Sequence, residues 1–103
     1  MPTDPSTLPV VQNTDANRFE VSGDGLMAKA DYMITKDERI VFTHTEVPRA
    51  WEGKGVGSRL AKTGLGYARE QALKVMPLCP FFAGYIRRHR EEYEDLLAPG
   101  FRV

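Results

Sequence analysis

The sequence predicts a mixed α/β fold: a mostly antiparallel central sheet, then a β-α-β-α C-terminal half whose helices pack on the sheet. Three observations predict it. Residues 26–47 alternate apolar with polar side chains or run through β-branched ones, the pattern of strands. At Gly55 the apolar period changes from two to three or four, the mark of a helix. Beyond it Lys74-Val75-Met76-Pro77-Leu78 is a short apolar strand, and Pro80 suits the first position of a second helix.

Taken in order, residues 1–9 are rich in Pro, Thr and Asp and are expected to form a flexible arm, with one domain over 10–103. Val10-Val11-Gln12 suits a short edge strand, and residues 13–17 have turn chemistry. Phe19-Glu20-Val21 alternates, and Gly23-Asp24-Gly25 reverses the chain. From Leu26 to Thr35, Leu26, Ala28, Ala30, Tyr32 and Ile34 share one face. Arg39 to Val47 carries apolar residues at both parities, which predicts a central strand covered on both sides. Pro48 ends it and residues 49–54 form a loop. A helix is expected over Val56–Ala72; Gly64 and Gly66 inside it each cost about 1 kcal/mol against alanine and point to close packing on a sheet or to a weak helix. The second helix should reach about Arg90, with a further short turn or helix over Glu92–Leu97.

Charge narrows the function classes. Fourteen Lys and Arg balance fourteen Asp and Glu. Zero net charge argues against a general affinity for nucleic acid or an anionic membrane. No apolar run is long enough to span a bilayer. The N-terminal residues lack a basic and an apolar stretch, so no secretory signal is expected. The one cysteine, Cys79, excludes an intrachain disulfide and fits a reducing, cytoplasmic setting.

Gly53-Lys54-Gly55-Val56-Gly57-Ser58 places three glycines at alternate positions between a strand and a helix. Glycine lets a ligand approach the backbone and permits positive φ. The first amides of a helix lack internal partners and sit at the positive end of its dipole. Such a turn is a phosphate site, with Ser58 adding a hydroxyl and Lys54 a charge. Neither the Gly-x-x-x-x-Gly-Lys-Ser/Thr loop nor the Gly-x-Gly-x-x-Gly fingerprint is present. Spacing alone leaves a ligand-free strand-to-helix turn equally open.

The run from Val47-Pro48 through Glu52-Gly53-Lys54-Gly55-Val56-Gly57 resembles motif A of the GNAT superfamily of acyl-CoA-dependent N-acyltransferases. That motif reads (Arg/Gln)-x-x-Gly-x-(Gly/Ala); Gly55 and Gly57 fit, and Glu52 departs from it. His44-Thr45-Glu46-Val47-Pro48, Lys74-Val75-Met76-Pro77-Leu78-Cys79-Pro80-Phe81, Tyr85-Ile86-Arg87-Arg88-His89 and Glu92-Tyr93 resemble a group of very short GNAT-like proteins over about Arg18–Leu97. The resemblance implies a truncated GNAT-like fold that binds acetyl-CoA and needs no metal. It implies a CoA contact set of Thr45, Val47, Gly53, Lys54, Gly55, Val56, Gly57 and Ser58. Pantetheine would pass between the Arg39–Val47 and Lys74–Leu78 strands, with the thioester near His44, Thr45, Glu46 and Cys79.

Pro80 at a helix start puts Cys79 at its N-cap. A helix N-terminus favours the thiolate form of a cysteine, so Cys79 reads as a nucleophile that takes the acetyl group, or as a small buried hydrophobe. His44, read on one face with Ile40, Phe42 and Glu46, is a candidate base, or a histidine satisfied within the sheet. Glu46 is a second candidate base or a loop-bonding carboxylate. Tyr85 falls near the tyrosine that protonates the CoA thiolate in longer relatives; packing is the alternative. Arg87, Arg88 and Arg90 read as a solvated helix face or as a source of one contact to a CoA phosphate. Trp51 covers the adenine or caps the core.

The expected function is acetyl-CoA-dependent N-acetyltransfer to a primary amine of a protein or small molecule, either directly or through Cys79. The alternative is a non-catalytic acyl-CoA sensor or carrier. The chain is expected to act as a monomer or weak homodimer.

Overall fold

A computed structural model describes residues 4–103. Its sheet has five strands: β1 (Val11–Asn13), β2 (Arg18–Gly23), β3 (Leu26–Ile34), β4 (Arg39–Glu46) and β5 (Lys74–Pro77). Their spatial order follows the chain, β1-β2-β3-β4-β5. The first four are antiparallel, and β5 lies parallel to β4. A parallel neighbour needs a crossover, which α1 (Val56–Glu70) supplies. Two further helices, α2 (Pro80–Arg88) and α3 (Arg90–Tyr93), follow β5. The mixed α/β architecture with helices on the sheet is as the sequence predicts.

All the helical packing falls on one face. Phe19, Val21, Ala28, Ala30, Tyr32, Ile40 and Phe42 meet Leu60, Ala61, Leu65 and Ala68 of α1 and Phe82 and Ile86 of α2. Phe42 and Phe82 stack with centroids 4.0 Å apart. Gly64 lies beneath them: a Cβ there would sit 3.0 Å from the Phe42 ring and 3.3 Å from Phe82. Its missing side chain lets α1 seat against the sheet, as the sequence suggested. Gly66 faces open space, and its close packing does not occur.

The opposite sheet face is largely open. Met27, Met33, His44 and Glu46 are exposed there, and Val41 alone is buried, beside Met76 across the strands. The sequence-based expectation of a strand covered on both sides is therefore corrected. One buried valine on the second face accounts for the apolar residues at both parities.

α1 ends at Glu70, two residues before the expected limit. Ala72 adopts φ 55°, and the Leu73 amide reaches back to the Ala68 carbonyl at 2.9 Å, closing the helix in a left-handed cap. Part of the segment expected to be a loose arm lies against the fold. Asp4 caps a short 3-10 turn over Pro5–Thr7, Leu8 fills the space beside Gly23, and the Arg59 guanidinium binds the carbonyls of Pro5 and Leu8 at 3.1 and 2.5 Å. Residues 1–3 lie outside the described residues.

Candidate functional site

β4 and β5 pair from Arg39↔Lys74 only as far as Phe42↔Pro77. Beyond that point Leu78 turns outward, and the Cys79 amide donates to the Phe42 carbonyl at 2.9 Å. Of the remaining residues of β4, His44 to Glu46 pair with β3 alone. A parallel neighbour has peeled away and left the edge of β4 uncovered, the opening that an extended chain needs to lie between two strands.

β4 also contains a bulge. Tyr32 faces Phe42 and Asp31 faces His44, so Thr43 is an extra residue on β4. Its hydroxyl lies 3.4 Å from the Asp31 carbonyl. The bulge reverses the side-chain alternation. Ile40 and Phe42 enter the core, whereas His44 and Glu46 project from the open face and Thr45 turns inward. The expected common face of Ile40, Phe42, His44 and Glu46 is corrected on this ground: an inserted residue breaks the period of two.

A short 3-10 turn over Arg49–Trp51 leads from β4 to the glycine turn. Gly53 and Gly55 have φ of 77° and 79°, which glycine adopts without strain. Gly55 caps α1, and the first recorded bond of the helix runs from the Arg59 amide to the Gly55 carbonyl at 3.1 Å. The amides of Val56, Gly57 and Ser58 precede it and have no partner within the helix. They border an open pocket of about 260 Å³ lined by Val47, Gly53, Gly55, Val56, Gly57 and Ser58, together with Trp51, Glu52 and Phe81.

Six of the eight expected CoA contacts thus come together. Lys54 turns to a neighbouring hollow with Asp4 and Asp24. Thr45 lies at the Cys79 thiol, which donates to its Oγ1 at 3.2 Å. Trp51 is 4% exposed and belongs to the core. Sequence reasoning missed Phe81. Its Cζ lies 2.7 Å from where a Gly57 Cβ would stand, so the ring closes one side of the pocket against the α1 N-terminus. An aromatic residue two places after the α2 N-cap was the available signal.

Cys79 occupies the N-cap of α2 and is 3% exposed. On the open face His44 Nε2 and Glu46 Oε1 are 2.8 Å apart, both more than half exposed. The hydrogen bond from His44 holds the Glu46 carboxyl below the usual glutamate range, opposed by partial desolvation and aided by the charges of His44 and Lys29. Tyr85 stacks on His89 at 4.3 Å and lies 5.8 Å from Tyr93, two turns along α2 from Cys79. Burial, then a bond with Glu92, pushes the Tyr93 hydroxyl above the ordinary tyrosine range.

The residues present suit a CoA-like ligand: free helix-terminal amides for a pyrophosphate, an apolar wall from Val47, Val56 and Phe81, and an uncovered strand edge for an amide-bearing arm. No helix among the described residues is long and apolar enough to cross a membrane.

Comparison with known proteins agrees with this geometry. The sequence profile described as GCN5-related N-acetyl-transferase matches residues 18–96. Protein NATD1 of Xenopus tropicalis is 28% identical over 97 residues, covering 91% of this chain and 89% of that protein. Protein NATD1 of Mus musculus is 36% identical over 64 residues, covering 60% of this chain and 58% of that protein. The NMR solution structure of a GCN5-like protein from Staphylococcus aureus superposes with a TM-score of 0.68 at 29% identity, over 90% of each chain.

Proposed function

This chain belongs to the GCN5-related N-acetyltransferase family, and on that premise we propose that it transfers acetyl from acetyl-CoA to a primary amine. The observation that carries the reading is the pairing of the glycine turn with the place where β5 leaves β4. The amides of Val56, Gly57 and Ser58 would hold the pyrophosphate. The free edge of Thr43–Glu46 would bond the pantetheine amides and bring the thioester beside Thr45 and Cys79.

The open sheet face is the side from which an acceptor amine arrives. In the neutral tautomer with Nε2–H directed at Glu46, Nδ1 of His44 is the lone-pair nitrogen. Nδ1 accepts the proton of the amine as its C–N bond to the acetyl carbon forms and the thioester C–S bond breaks. Glu46 stabilises the imidazolium. The sulfur of CoA leaves as thiolate and takes a proton from water.

The position of Cys79 bears on the route. Its bond to Thr45 and its burial favour direct transfer, with the thiol holding α2 to β4. Its seat at a helix N-cap favours a transient acetyl-Cys79. Intact-protein mass spectrometry after incubation with acetyl-CoA tests both, beside Cys79→Ala. An acetyl adduct absent from the variant establishes the covalent route. Turnover of an amine by both proteins establishes direct transfer. CoA binding without turnover of any amine leaves the sensor or carrier reading, and no binding overturns the proposal.

A further inference from the structure

We infer that Arg88 is the cation that meets the 3′-phosphate on the ribose of CoA; this rests on the proposed seating of CoA at the glycine turn. α2 begins at Cys79, beside the proposed thioester, and passes the glycine turn where Phe81 touches Gly57. Residues 81, 84 and 88 follow at spacings of three and four, so they share one face of the helix. That face therefore continues from the glycine turn in the direction away from the thioester.

Gly84 shapes this face. With no side chain there, the Arg88 guanidinium lies back over the preceding turn: its Nη1 is 3.8 Å from the position a Gly84 Cβ would take. Helical side chains lean toward the N-terminus, which assists the same direction. The guanidinium thereby reaches back to the level of Gly84, one helical turn beyond Phe81 of the pocket wall.

The charge is also uncommitted. Arg18, Arg39 and Arg69 pair with Glu20, Asp37 and Asp95, while Arg59 and Arg90 bind backbone carbonyls. Arg88 has no ion pair or hydrogen bond with any described residue. The pocket itself supplies no cation. Glu52 stands in its wall, and Lys54 lies in the neighbouring hollow. A pyrophosphate can be satisfied by the turn amides. The third phosphate of CoA would project beyond them, and Arg88 is the cation on the helix face that continues from Phe81.

Calorimetric titration with CoA and with 3′-dephospho-CoA tests this on the wild type, Arg88→Gln and Arg87→Gln. The neighbouring arginine controls for loss of one positive charge. Arg88→Gln should weaken CoA about tenfold and leave 3′-dephospho-CoA unchanged, as expected for one charge-assisted contact. Arg87→Gln should leave the preference for CoA intact. An equal loss for both ligands in Arg88→Gln, or none, overturns the assignment of Arg88 while the glycine-turn reading stands. A wild type that binds neither ligand overturns both.

Discussion

The Cys79 thiol donates to Thr45 Oγ1 at 3.2 Å while its amide donates to the Phe42 carbonyl, and so joins the N-cap of α2 to β4 where β4 and β5 stop pairing. The bond spans the opening proposed for the thioester. Thr45→Val keeps the side-chain volume and removes the accepting oxygen. A thiol is a weak donor, so stability should fall by less than about 1 kcal/mol. Alkylation of Cys79 by iodoacetamide should accelerate, because the sulfur loses its partner. An unchanged alkylation rate would show that the bond does not restrain the thiol.

Gly57 tests the pocket wall. Any side chain there meets Phe81, whose Cζ is 2.7 Å from the position of a Cβ. Gly57→Val should weaken CoA binding at least tenfold and cost about 1–3 kcal/mol of stability through overpacking. Phe81→Leu in the same protein should recover much of the stability. Additive losses in the double variant would mean that the two positions do not press on each other.

The two glycines inside α1 should respond oppositely. Gly66 faces open space, so Gly66→Ala should stabilise by about 0.8–1 kcal/mol, raising Tm by roughly 4–8 °C. Gly64→Val should destabilise, since branched carbon would enter the gap filled by Phe42 and Phe82. Thermal unfolding of both variants decides the matter. A loss of stability in Gly66→Ala would contradict the open site.

The His44–Glu46 pair sets a pH dependence. The carboxyl of Glu46 is held below the usual range, mainly by the hydrogen bond from His44. A depressed folded value means that the bond stabilises the fold above the unfolded glutamate pKa and is lost as pH falls through the lowered folded value. The side-chain carboxyl resonance of Glu46 should therefore titrate at a lower pH in the wild type than in His44→Ala. Identical titration midpoints would show that the pair does not persist in solution.

The strands, the crossover helix and the glycine turn were legible because each rests on local pattern: alternation over residues 26–34, the change of period at Gly55, and glycines where φ is positive. The side on which His44 projects was not. Ile40, Phe42, His44 and Glu46 keep a perfect alternation in the sequence, and only the register against Asp31 and Tyr32 reveals the bulge at Thr43. Docking of residues 4–8 was hidden for a similar reason, since the Arg59 that binds them lies more than fifty positions away. Arg88 was read with its arginine neighbours as one cluster, and the lie of its guanidinium over Gly84 shows only in the structure.

The central claim is that CoA occupies the glycine turn and the opening between β4 and β5. Amide chemical shifts followed by NMR during a CoA titration test it most directly. The account predicts the largest changes at Gly53 to Ser58, with a second set along Thr43 to Glu46 and at Cys79. Absence of any saturable change, or changes confined to other surfaces, would contradict it.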